Sequence, residues 1–212
     1  MKNNDLKIKD SIIYNPCEEG NNWLKGFDKD KNLKEVWNEC YRGDWMLCAL
    51  SKSRPGRDIN LLPPVLDFIT KTYKEYIPAI FNNIENFHNV SLFYKSIPDL
   101  TIDNIDLVLS KLNSVRTDLI MGNKDINIEN GSFILIVSNI PVGSILDIKH
   151  MYHSINNGES YNQKILWLFS AVYEILLLND YLEIDLYKDL SEIVRVNIPW
   201  DLIEFKIWKS SE

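Results

Sequence analysis

An all-α fold, with many helices in a single domain, is what this sequence predicts, and three observations carry the prediction. Apolar residues recur at steps of three and four in most segments of the chain. Helix-starting residues such as Asn32 and Thr101 stand ahead of those segments, with Gly26 and Gly122 behind them. Only one run, Ser132 to Ile140, is rich in β-branched residues. At 212 residues the chain can bury one substantial core, and neither a repeat nor a low-complexity linker divides it.

Residues 1–15 read as a loosely ordered lead-in to that domain, 1–212. A short helix follows from Pro16 to Phe27, with Pro16 near its first turn and Gly26 near its end. Asn32, with Glu35 three residues on, opens the next helix as a capping box would. Leu33, Val36, Trp37, Cys40, Leu47 and Leu50 then keep helical spacing, and Tyr41, Trp45 and Cys48 widen the apolar face. This predicts one helix over 32–50, buried on more than one side. Ser51 to Asp58 is a basic turn punctuated by Pro55-Gly56.

Leu61 to Phe87 reads as helix again, bent or broken before Pro78. Thr101 opens an amphipathic helix through Ile105, Leu109, Leu112 and Leu119, which Gly122 stops. The run Ser132–Ile140 is the one candidate for a short β element, near 133–139; a buried helix turn gives the same pattern at that length. Ser144–Ser154, Gln163–Leu178, Tyr187–Val196 and Pro199–Trp208 complete the helices.

Composition narrows the function classes. The chain is 45% hydrophobic and 25% charged, the balance of an ordinary folded protein. A net charge of −7, from 30 acidic and 23 basic residues interleaved along the chain, argues against a nucleic-acid binder. The three cysteines, Cys17, Cys40 and Cys48, form no close pair, which fits a reducing cytoplasm. The first ten residues carry positive charge with no apolar run behind them, unlike a signal peptide. Ile165 to Leu178 contains Glu174 and is shorter than the roughly 20 residues of a membrane span. No membrane association is expected.

Motifs for chemistry are few. Asp28, Asp30, Asn32 and Glu39 take positions 1, 3, 5 and 12 of an EF-hand-like loop, but Leu33 stands where the sharp turn needs glycine. Asp147, His150 and His153 step along one helix without the glutamate of a zinc-protease site, and read as a solvated polar face. Cys40 and Cys48 fall on an apolar face, where cysteine behaves as a small hydrophobe. Cys17, near a helix start, is the one thiol with a route to a lowered pKa; His88 is a candidate base, but nothing in the sequence brings the two together. Phosphate loops, dinucleotide fingerprints and serine elbows are missing from the sequence. No catalytic, cofactor-binding or metal-binding residue is therefore assigned.

The polar residues that remain are Arg42, Asp44, Arg54, Arg57 and Asp58. Arg42 and Asp44 flank Gly43 inside an apolar stretch, so one reading is a half-buried ion pair that anchors helices. The other is a charged contact for a partner. Arg54, Arg57 and Asp58 lie on a turn, where surface loops carry binding.

The pattern Cys17-x-x-Gly20-x-x-Trp23-Leu24, then Trp37-x-x-Cys40-x-Arg42-Gly43-Asp44-Trp45-Met46-Leu47, resembles a set of helical bacterial and phage proteins. The end of the chain, Ile193-Val-Arg195 and Ile198-Pro-Trp200, resembles that group's closing helix-turn-helix. Cys48 and Ala49 depart from it, standing where such proteins often have tryptophan and leucine. Some apparent relatives are predicted immunity proteins of polymorphic toxin systems. The resemblance implies a cytoplasmic, non-catalytic protein whose partner is another protein, such as a toxin or a host defence protein. The competing expectations are a small-molecule- or metal-dependent enzyme using Cys17 or the His150/His153 helix, and a structural oligomerising helical module.

Trp37→Ala is expected to cost about 3–5 kcal/mol in chemical denaturation if that ring is core, whereas Arg57→Ala stays within about 0.5 kcal/mol.

Overall fold

Asn32 starts a helix in the way its side chain allows: Oδ1 accepts from the Lys34 amide at 2.8 Å, satisfying one of the donors a helix start leaves unpaired. The computed structural model describes residues 7–8, 18–52, 60–82, 84, 87–122, 128–158 and 160–207. Among them the helices are α1 (Glu18–Lys25), α2 (Leu33–Glu39), α3 (Gly43–Lys52), α4 (Leu62–Lys71), α5 (Ile77–Asn82), α6 (His88–Ser96), α7 (Ile105–Gly122), α8 (Ile128–Asn156), α9 (Tyr161–Leu176), α10 (Leu186–Asn197) and α11 (Trp200–Ile207). The described residues contain no strand, only an isolated bridge between Lys7 and Asn32. The all-α expectation holds. Lys7 and Ile8 are the only described part of the lead-in 1–15, and the turn 53–59 lies outside the described residues.

The chain divides into two compact units, Met1–Pro64 with Leu186–Glu212, and Val65–Asp185. In the first, α10 packs along α3. Leu186, Leu190 and Val194 come from α10, and Met46, Leu47 and Leu50 from α3; all are buried. Gly43 lies at the closest approach. A Cβ there would stand 2.5 Å from both the Leu190 Cγ and the Ser191 backbone nitrogen, so only glycine lets the two helices meet at this point.

The single helix expected over 32–50 is two helices. Cys40 adopts an extended conformation (φ −66°, ψ 113°) and ends α2, and α3 begins at Gly43. The periodicity persists across the break because Leu33, Val36, Trp37, Cys40, Trp45, Met46 and Leu50 are all buried regardless. A hydrophobic pattern reports burial and is blind to a corner that keeps the same side inward.

In the second unit, the helix expected over Leu61–Phe87 ends at Asn82 and carries a π-helical turn, Thr72–Tyr76, between α4 and α5, just ahead of Pro78. The Ile77 amide bonds the Thr72 carbonyl, five residues back. Widening the helix here relieves the clash a proline ring makes with the carbonyl four residues before it. Tyr73 is fully buried and its hydroxyl donates to the Pro98 carbonyl at 2.6 Å. Thr101 opens a 3₁₀ turn, Ile102–Asn104, as a reciprocal capping box with Asn104, and α7 continues from it.

The β element considered near 133–139 is instead part of α8, which runs unbroken through Pro141. Its β-branched residues serve as a helix face: Ile134, Val137, Ile140, Val142, Ile145 and Ile148 are buried. α8 packs against both α7 and α9, and that burial overrides both β propensity and the proline. The stretch Gly131–Ser154 within α8 is the one helix among the described residues long and apolar enough to cross a membrane by length and composition. Half of its apolar window is buried within the protein.

Gly43→Ala is expected to destabilise the chain by about 3 kcal/mol in urea titration, the upper end for overpacking, because backbone rather than a side-chain tip must yield.

Candidate functional site

Of the five predicted contact residues, Arg42 and Asp44 are described and lie together; Arg54, Arg57 and Asp58 fall outside the described residues. The α2–α3 corner brings Arg42 out of the helix, and the first turn of α3 presents Asp44. The Arg42 Nε and Nη2 donate to the two Asp44 carboxylate oxygens at 2.9 and 2.8 Å. This is the fork-to-fork geometry that guanidinium and carboxylate make best. The guanidinium also lies 4.0 Å from the Tyr187 ring centre and 4.6 Å from that of Trp45, in the range of cation–π attraction. Glu19 reaches it at 3.7 Å from the solvent side.

Exposure separates the two charges. The Asp44 side chain is 3% exposed and that of Arg42 21%. Asp44 is therefore closed off from solvent, whereas one edge of Arg42 is exposed. The Asp44 hydrogen bonds, outweighing partial burial, hold the proton on Arg42 more firmly than usual. Around Arg42 stand Tyr41, 47% exposed, and Trp45, whose ring sits 6.1 Å from that of Tyr41 and 5.9 Å from that of Trp23. The result is a fixed aromatic–arginine face with an exposed tyrosine at its rim.

Arg195 supports this face from behind. Its Nη1 donates to the Cys40 carbonyl at 2.7 Å, with a longer 3.5 Å contact to that of Trp37, and Nη2 donates to Ser191 Oγ at 2.8 Å. A cation at the end of α2 satisfies carbonyls the helix leaves open and complements its dipole. Trp200 packs on Trp37 at 6.4 Å. Neither Arg195, Tyr187 nor Trp200 was assigned a role from sequence. The signals for two of them are the closing motif, Ile193-Val-Arg195 and Ile198-Pro-Trp200, and the place of Arg195 as a lone cation among Ile193, Val194 and Val196.

The other candidates separate. Burial, the largest influence, pushes the Cys40 thiol up to about 11, and its sulfur donates weakly to the Arg42 carbonyl at 3.5 Å; such a thiol is a poor nucleophile. Cys17 lies outside the described residues. His150 stacks on Trp167 at 5.0 Å, while His153 is exposed. In the EF-hand-like segment, Asp28 accepts from the Asp30 amide, Asp30 pairs with Lys7, and Glu39 pairs with Lys31. Among the described residues no three His, Cys, Asp or Glu side chains gather as a metal site would require. No family model matches this chain, and no curated protein or solved structure does.

Arg42→Ala is expected to cost about 3 kcal/mol, since it strands the buried Asp44 charge. Adding Asp44→Asn should recover part of that loss in the same denaturation assay, because a neutral amide is cheaper to leave buried.

Proposed function

We propose that this chain is a non-catalytic cytoplasmic protein that binds and blocks another protein, as a toxin-neutralising immunity protein or a phage-encoded inhibitor of a host defence protein does. The observation that carries the reading is the face built from Tyr41, Arg42, Trp23 and Tyr187, backed by the buried ring of Trp45. Tyrosine, tryptophan and arginine are the residues in which binding energy concentrates at protein interfaces. Here they are held in place by stacking and by the Asp44 fork. A side chain already fixed loses little freedom on binding, so more of the contact energy appears as affinity. The net charge of −7 suits a basic partner through long-range attraction.

A structural, oligomerising module is the second reading. Leu166, Tyr173 and Leu177 are exposed at helical spacing along α9 and the turn that follows it, and light scattering after size exclusion reads the oligomeric state directly.

The test is affinity capture with tagged protein from its native lysate, followed by titration of the purified partner. One stoichiometric protein partner is expected, with Tyr41→Ala weakening it at least tenfold while the melting temperature stays unchanged. Capture of no protein overturns the reading and turns attention to metal and small-molecule screening; equal affinity of the variant removes the Tyr41 face.

A further inference from the structure

Where α8 meets α9, a carboxyl occupies the place of a missing side chain. Gly143 lies on α8, and a methyl group there would overlap the Glu174 carboxyl of α9. The glycine thus leaves a notch that Glu174 fills. One helical turn beyond Gly143, Asp147 brings a second carboxyl, whose Oδ2 is buried without a hydrogen-bond partner among the described residues.

Among the described residues no cation pairs with either acid. On α8, Lys149 is engaged with Asp106 of α7 at 2.7 Å, His150 is stacked on Trp167, and His153 is exposed. The 3₁₀ turn Leu177–Tyr181, which follows α9, contributes only Asp180, which is exposed. On α7, Arg116 Nη1 reaches Asn113 at 3.5 Å, while its buried Nε has no hydrogen-bond partner among the described residues. Ser144 is the remaining polar neighbour, within hydrogen-bonding reach of Glu174. Its hydroxyl donates its one hydrogen to the Ile140 carbonyl at 2.9 Å. Its contact with Glu174 favours the carboxylate, but less than burial and the Asp147 charge favour the acid.

We propose that Glu174 is a pH-operated latch between α8 and α9: as the acid it seats against Gly143, and as the carboxylate it leaves that seat for water. Burial first, and the charge of Asp147 second, favour the neutral form and raise its pKa above the ordinary 4.5. The sign follows from linkage. A carboxyl with a raised folded-state pKa contributes stability that is fully present below about 4.5, and that contribution is lost as pH rises through the folded value. The α8–α9 contact therefore loosens toward neutral pH, with the proton released to solvent.

The experiment is thermal unfolding of the full chain by circular dichroism from pH 4.5 to 7.5, for the parent and for Glu174→Gln, an isostere of the seated acid. The two should melt together at pH 4.5, with the variant higher at pH 7.5 by on the order of 2–4 °C. Gly143→Ala fills the notch, so adding Glu174→Gln to it should give a gap that does not change with pH. A constant gap between parent and Glu174→Gln across the range would overturn the latch, as would a variant that melts lower throughout. A pH-dependent gap that survives in the Gly143→Ala background would overturn the Gly143 seat.

Discussion

Arg195 closes a gap that the first unit could not otherwise tolerate. Ending α2 at Glu39 and starting α3 at Gly43 leaves the Cys40 carbonyl outside the helical ladder, next to a Trp37 carbonyl that the Cys40 amide reaches only at 3.4 Å. Unpaired, such groups would cost on the order of 1–3 kcal/mol each. One planar guanidinium, anchored by Ser191, covers them. Lysine could not do the same, since it lacks the rigid fork. With that corner secured, Gly43 can sit against Leu190 and Arg42 can swing out to lie on Tyr187.

The corner also explains why Arg42 and Asp44 are unequal members of one pair. A helix continuing through residue 42 would have placed both on the same rod, two residues apart and on different sides. Breaking the helix lets Asp44 turn inward at the start of α3, where an acidic residue complements the helix dipole. Arg42 meanwhile bridges outward between two rings. The two readings of these residues from sequence, structural and contact-making, therefore divide between the two side chains: burial gives Asp44 the structural part, and the proposed contact falls to Arg42 with Tyr41.

Much of the fold was legible because caps and stops act locally. Asn32 and Thr101 open helices where their chemistry said they should. The π-turn ahead of Pro78 likewise follows from a covalent constraint. What sequence could not show depended on distant partners. The run at 133–139 is helical because α7 and α9 flank it, and nothing within the run announces that. Glu174 was visible only as an interruption in an apolar stretch; its meaning rests on Gly143, thirty-one positions earlier in the chain. Arg195 acts on Cys40 across 155 residues, beyond the reach of any local pattern. The legible share of the candidate site was accordingly its near half: Arg42 and Asp44, but not Tyr187 or Arg195.

The pairing of Gly43 with Leu190 and Ser191 has a consequence in time. A ribosome adds about 5–20 residues per second, so α3 waits on the order of ten seconds or more before α10 has been made. During that interval Met46, Leu47 and Leu50, all buried in the finished protein, have no α10 to cover them. The second unit is encoded between the two halves of the first, and its residues can collapse on one another while the first remains incomplete. The order in which the chain is made is thus inverted in the order in which its units can close, and the tryptophan-rich opening segment is the part of the nascent protein most in need of shelter.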